Sequence, residues 1–111
     1  MSQARTDTAV RHCISWDELP EQVSPAGVAK RALEGEGASL VMVRVPAGTK
    51  APPHSHPHEQ LVQVLSGSGV LETEQGSRPF GPGSLFHFPA ETWHAAAFDS
   101  ETVLIETNLN A

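Results

Sequence analysis

The sequence is poor in residue types on which several common protein functions depend. It has no tyrosine, a single cysteine and 5% aromatic residues. One cysteine cannot form an intrachain disulfide or a thiolate cluster, so Cys13 is interpreted as a small, buried or half-exposed thiol rather than a nucleophile. The default expectation is a reducing, cytoplasmic location.

Long apolar runs and an excess of positive charge are also missing. No apolar stretch approaches the length of a membrane span, and residues 1–10 lack the basic and apolar regions of a signal peptide. Seven basic residues stand against 13 acidic ones, which gives a formal net charge of -6. Neither a membrane nor nucleic acid is therefore an expected partner. The length of 111 residues fits one globular domain.

The chain does contain many short, strand-like segments separated by glycine and proline. The four residues "SGSG" are predicted to be a hairpin turn between the strand-like segments "EQLVQVL" and "VLETE". Residues 75–77 are predicted to form a further turn. Short strands at even spacing predict an all-β antiparallel sandwich or barrel. The strand-like segments are "ASLVMVRV", "EQLVQVL", "VLETE", "SLFHFP", "TWHAAAF" and "ETVLIETNL".

The first part of the chain has a different pattern. In "SWDELP", Ser15 can cap a helical turn, Glu18 follows three residues later and Pro20 ends the turn. We expect residues 1–36 to form a short N-terminal extension with this helical turn and an edge strand. Residues 37–111 are expected to form the barrel.

Three of the six histidines lie close together in "HSHPH", between prolines that favour extended backbone. Because side chains alternate along a strand, His54 and His56 face the same side, and Gln60 has the same parity. A second strand can add His87 or His94. Imidazole is the commonest neutral ligand of zinc, iron, nickel and copper, so the pattern favours a metal site over a solvated histidine cluster.

These residues resemble the two motifs of the cupin superfamily. The first motif fits Gly48, five residues, His54-Ser55-His56, three residues, Gln60, six residues and Gly67, and the second fits Pro82, Gly83, Pro89 and His94. The resemblance implies a small antiparallel jelly-roll barrel with one divalent metal ion per chain. The implied ligands are His54, His56, Gln60 and His94, and the resemblance does not distinguish zinc, iron, nickel, manganese and copper.

Gln60 stands where most cupins have glutamate. Cupins that linearise unsaturated uronates, and small cyclases of aromatic polyketide pathways, look similar in this segment or in size. Glu59 is the alternative ligand if the strand begins with a bulge. The uronate family is known for acid and arginine groups on its last strand, whereas "TVLIETNLNA" contains Glu106 and no arginine.

A neutral set of ligands leaves the charge of a divalent ion uncompensated, which favours Lewis-acid chemistry at an enolisable or anionic oxygen. We therefore expect an enzyme that isomerises or cyclises a small carbonyl or enol compound. A mononuclear metal dioxygenase and a non-catalytic small-molecule binding module are the alternatives. His87 and Glu106 are candidate acids or bases, and Arg44 is a candidate anchor for a substrate carboxylate.

A homodimer is also expected. Leu61 and Leu65 point away from the predicted metal site, and Leu104 is expected on an outer face as well. A barrel this small cannot bury apolar residues on both faces of its sheets by itself. The segment "CISWDEL" is a second candidate for the contact between subunits.

Overall fold

The computed structural model describes residues 12–110. The predicted helical turn is confirmed as a 3-10 helix at Trp16–Glu18. The amide of Ser15 donates to the Glu18 carboxylate at 2.7 Å, and Pro20 follows the helix. In the part of the chain that is described, no helix has the length and apolar character needed to cross a bilayer.

Within residues 12–110, ten strands follow this helix, as the all-β prediction requires. Strands of this length, broken by glycine and proline turns, bury one face and expose the other. In chain order they are β1 (Gln22–Val23), β2 (Ala29–Glu34), β3 (Ala38–Val45), β4 (Lys50–His54), β5 (Gln60–Ser66), β6 (Gly69–Thr73), β7 (Gly76–Phe80), β8 (Leu85–Phe88), β9 (His94–Phe98) and β10 (Thr102–Leu109).

The strands form two antiparallel sheets that pack face to face, in the manner of a jelly roll. The larger sheet has the order β1-β2-β3-β10-β5-β8, and the smaller has the order β4-β9-β6-β7. Strands β1 and β2 come from the N-terminal extension and add to the edge of the larger sheet beside β3. The antiparallel jelly-roll prediction is confirmed.

The core lies between the inner faces of the two sheets. Alternate residues of β5, among them Val62 and Val64, are buried while their neighbours are exposed. Leu104 belongs to this core at 5% exposure, so the expectation that it lies on an outer face is wrong. The buried core cluster consists of Val43, Val45, Val62, Val64, Phe80, Phe88, Phe98 and Leu104.

The segment "SGSG" is not a hairpin turn. Strand β5 pairs with β10 and β8, whereas β6 pairs with β9 and β7, so this segment carries the chain from one sheet to the other. Gly67 makes the passage possible, since its φ is 98° and a Cβ there would collide with Thr102. The turn predicted near residues 75–77 does join a hairpin, with Thr73 opposite Gly76.

Register across the larger sheet separates a polar end of the barrel from an apolar one. Residues directly opposite each other in antiparallel strands share a face. Ser39, Asn108 and Gln60 form one row of the inner face. The next row is Val41, Glu106 and Val62, and the third is Val43, Leu104 and Val64. The polar row and Glu106 therefore lie at one end of the barrel, above an aliphatic floor.

Candidate metal centre

Three histidines converge at the polar end of the barrel. His54 is the last residue of β4, His94 is the first residue of β9, and the two are register partners. His56 follows in the loop after β4. The potential ligand atoms of these three side chains all lie within 4.8 Å of one another. We call His54, His56 and His94 the histidine cluster.

Backbone carbonyls determine which ring nitrogen of two of these histidines is free. Nδ1 of His54 lies 2.9 Å from the carbonyl oxygen of Pro52, and Nδ1 of His94 lies 3.3 Å from that of Thr92. A carbonyl oxygen can only accept, so each Nδ1 must carry the proton. Each Nε2 then keeps its lone pair, which is the arrangement found in histidines that bind metals.

Packing and backbone contacts hold the cluster in place. The ring of Phe88 stacks on that of His94, with centroids 3.8 Å apart and planes 1° from parallel. The amide of Glu91 donates to the carbonyl of His56 at 2.7 Å. This bond ties the loop that carries His56 to the turn that precedes His94, so the two sequence motifs support each other.

Gln60 lies beside the cluster and is held by a residue that the sequence analysis missed. Gln60 is 5% exposed, and its Nε2 donates to Oδ1 of Asn108 at 2.8 Å. Nε2 of His58 donates to the same oxygen at 3.3 Å. Strand parity could have placed Asn108 at the site from the sequence. Asn108 follows the candidate Glu106 by two residues, so on one strand both side chains face the same side.

Two cavities meet at this site. The first, which we call the mouth cavity, has a volume of about 490 Å³ and is lined by His56, His58, Lys30 and Asn108, among others. The second, the inner cavity, has about 100 Å³ and is lined by His54, His94 and apolar residues. Gln60 and Glu106 line both cavities. These two side chains therefore mark the junction between them.

Burial shifts the pKa of two of the histidines downward and the pKa of Glu106 upward. Burial is the main cause that lowers the pKa of His94 to about 4, and the charge of His54 adds to it. Burial also lowers the pKa of His56, with smaller contributions from neighbouring charges. The pKa of Glu106 is raised because burial disfavours its charged form, although the charge of Lys30 opposes the rise. Neutral imidazoles are the form that binds metal ions.

Arg44 does not reach this site. It lies on the outer face of the larger sheet, where its guanidinium pairs with Glu21 at 3.3 Å and Glu101 at 3.9 Å. Its neighbours on β3, Val43 and Val45, take the buried face instead. The expectation that Arg44 anchors a substrate carboxylate does not fit this position.

His87 also lies outside the cavities that hold the histidine cluster. It is exposed on β8 between the inward-facing Phe86 and Phe88, and its Nε2 is 2.6 Å from the Glu59 carboxylate. Neither an acid–base role for His87 nor metal binding by Glu59 fits this outward contact. Of the predicted site residues, the structure brings together His54, His56, Gln60, His94 and Glu106.

Comparisons with known proteins agree with this architecture. Residues 41–107 match the family described as Cupin domain. No curated protein matches the sequence. An RmlC-like cupin from Shewanella frigidimarina superposes with a TM-score of 0.82 at 20% identity, over 90% of this chain and 91% of the other.

Two further solved structures are 26% identical to this chain. KdgF from Halomonas sp. superposes with a TM-score of 0.77, over 86% of this chain and 91% of its own. A putative mannose-6-phosphate isomerase from Ralstonia eutropha superposes with a TM-score of 0.69, over 81% and 91%. The family match spans more than half of the chain and agrees with the jelly roll and the histidine cluster, so the chain belongs to the cupin family.

Proposed function

We propose that this cupin is a metal-dependent enzyme that isomerises or cyclises a small carbonyl or enol compound by Lewis-acid catalysis. The observation that carries the proposal is the histidine cluster, whose ligand atoms lie within 4.8 Å of one another beside an uncharged amide and a half-buried acid. Structural similarity to a putative sugar-phosphate isomerase at 26% identity supports the reaction class.

The side chains fit a divalent ion. His54, His56 and His94 would hold it, with Nε2 free on the two histidines whose Nδ1 donates to a carbonyl. Gln60 would add its Oε1, because its Nε2 is engaged with Asn108. When bound, such an ion supplies Lewis acidity that polarises a substrate carbonyl and stabilises the charge of an enolate. All four ligands are neutral, so none would reduce that charge.

Glu106 is the residue we assign to proton transfer. It lines both cavities beside the histidine cluster, and burial raises the pKa of its carboxyl toward the range in which acids work best as proton carriers. In an isomerisation, its carboxylate would take a proton from the carbon next to the carbonyl. The resulting carboxylic acid would return that proton to a different carbon of the same enolate. Glu106 would then be a carboxylate again.

Deuterium exchange tests this proposal without knowledge of the natural substrate. The probe is 4-oxo-4-phenylbutanoate in D₂O, with loss of the protons next to the ketone followed by NMR. We expect zinc-loaded protein to accelerate the exchange. The exchange rate with Glu106→Gln should be at least tenfold lower than with the parent protein, as is typical when a general base is removed. Glu101→Gln, an exposed acid just before the same strand, is the control.

Exchange no faster than in zinc-containing buffer would overturn the proposal. Equal rates in the parent and Glu106→Gln would overturn the role of Glu106. Oxygen uptake that depends on the probe, without exchange, would instead favour the dioxygenase alternative.

A further inference from the structure

Lys30 projects into the mouth cavity from the strand that the N-terminal extension contributes. It lies opposite Val43, which is 3% exposed and belongs to the core, so both side chains leave the inner face of the larger sheet. Lys30 lines the mouth cavity together with His56 and Glu106. A basic side chain therefore shares a cavity with the candidate metal centre.

The charge of Lys30 is not neutralised by an ion pair within residues 12–110. The ion pairs in that part of the chain use Arg31 and Arg44 as their basic members, and a further carboxylate, that of Glu59, contacts His87. The charge of Lys30 nevertheless acts at the site, since it contributes to the pKa changes of His56 and Glu106. Glu34 lines the same cavity from four residues further along β2. Glu34 lies opposite Ser39 of the polar row, whereas Lys30 lies two rows away, opposite Val43.

The inner cavity offers the opposite chemistry. Its walls are aliphatic and aromatic apart from two histidines of the cluster, Gln60 and Glu106. A group that enters it leaves water and contacts carbon, which favours an apolar substituent. The apolar lining consists of Ala51, Val62, Leu71, Phe86, Phe88, Ala96, Phe98 and Leu104.

We propose that the substrate is a small carboxylate that also carries a carbonyl and an apolar group, and that Lys30 binds its carboxylate. The apolar group would fill the inner cavity while the carboxylate stays in the mouth cavity. Because Gln60 and Glu106 line both cavities, the carbonyl between the two ends would lie beside the histidine cluster. This inference rests on the proposed function and names its substrate class.

Three ketones separate the parts of this inference. 4-Oxo-4-phenylbutanoate has the carboxylate and the apolar ring, its methyl ester lacks the charge, and 4-oxopentanoate lacks the ring. Calorimetry on zinc-loaded protein is expected to show the full acid binding about tenfold more tightly than either of the others. A tenfold difference corresponds to about 1.4 kcal/mol, which is in the range of a hydrogen bond to a charged group.

Variants of the two lysines then identify the residue that recognises the carboxylate. Lys30→Gln is expected to remove the preference for the acid over its ester, and Lys30→Arg to keep it. Lys50→Gln is the matched control, because Lys50 is the other lysine of the chain and does not line either cavity. Circular dichroism of each variant verifies that it is folded.

The outcomes that overturn the inference are distinct from those that overturn the proposed function. An acid that binds no better than its ester, or a preference that survives in Lys30→Gln, contradicts the role of Lys30. Tight binding of 4-oxopentanoate contradicts the role of the inner cavity. These results do not bear on zinc binding or deuterium exchange by the parent protein. A parent protein that does not bind zinc, or does not accelerate the exchange, contradicts the proposed function itself.

Discussion

The side chain of Gln60 donates from Nε2 to Oδ1 of Asn108 at 2.8 Å. This bond fixes which end of the Gln60 amide is engaged, and it leaves Oε1, the atom that can bind a metal ion, free of Asn108. Asn108 does not itself belong to the histidine cluster. It is a positioning residue for Gln60, as outer partners commonly are for metal ligands.

Replacement of Asn108 should therefore weaken metal binding without removing a ligand. We expect Asn108→Leu to bind zinc about 10-fold to 100-fold more weakly, the usual effect of losing an outer partner of a ligand. Competition with a chelating dye measures the affinity. Asn110→Leu, an exposed position two residues on, is the control. Unchanged zinc affinity in Asn108→Leu would show that this bond does not position Gln60.

Gln60→Glu is expected to retain the metal and to slow deuterium exchange of the ketone probe. The added carboxylate would partly neutralise the ion, which then polarises a carbonyl less and attracts an anion less. Zinc content, melting temperature and exchange rate must be measured together. If Gln60 only packs beside the site, the buried new charge should lower the melting temperature instead. Full metal, unchanged stability and undiminished exchange would contradict the argument from ligand neutrality.

The metal-free protein should lose stability in mild acid. The pKa of His94 is about 4 in the folded chain, against an ordinary value of 6.5, because burial disfavours its charged form. The unfolded chain therefore binds more protons between these values, and the stabilising contribution is complete above pH 6.5 and lost as the pH falls toward 4.

The loss attributable to His94 should approach about 1.4 kcal/mol for each pH unit inside that window. Urea unfolding of chelator-treated protein at several pH values measures the slope. His94→Gln should have a shallower slope under the same conditions. The same slope in both proteins would assign the acid sensitivity to other groups.

We expect the protein to be a homodimer that pairs through the outer face of the larger sheet. Leu33, Leu40 and Leu61 occupy one register row of that face, with Thr107 between the last two, and each leucine is 38–41% exposed. Leu85 on the same face is 76% exposed. Apolar surface arranged in this way is typical of protein contacts.

Light scattering at micromolar concentration tests this expectation. The parent protein should have the mass of two chains, and Leu61→Glu should shift it toward one. Val70→Glu is the control, because Val70 has a similar exposure of 38% but belongs to the smaller sheet. A parent protein that runs as a monomer would contradict the prediction.

Much of the fold was predictable because alternation and glycine turns are local signals. The strand at "EQLVQVL" buries alternate residues as its pattern indicates. Strand parity placed His54, His56 and Gln60 on one side, and the resemblance to the cupin motifs implied His94 as the fourth ligand. Pairing between strands is not local. The segment "SGSG" has the composition of a hairpin turn, yet Gly67 serves to pass closely over Thr102 between the sheets.

The same limit explains the errors at the site. Arg44 and His87 each lie between buried or half-buried neighbours on their strands. Where both sets of alternate residues are rich in apolar side chains, the sequence pattern does not tell which set faces the core. On the outer face Arg44 pairs with Glu21, and His87 contacts Glu59. Lys30 could not have been placed at the site, because its position depends on the pairing of β2 with β3.

Metal content tests the central claim most directly. After loading with zinc and removal of the excess, elemental analysis of the parent protein should find close to one ion per chain. His54→Ala and His94→Ala should retain little or none, whereas His87→Ala, which alters a histidine on the outer face, should match the parent. Equal zinc occupancy in the parent, His54→Ala and His94→Ala would contradict the account.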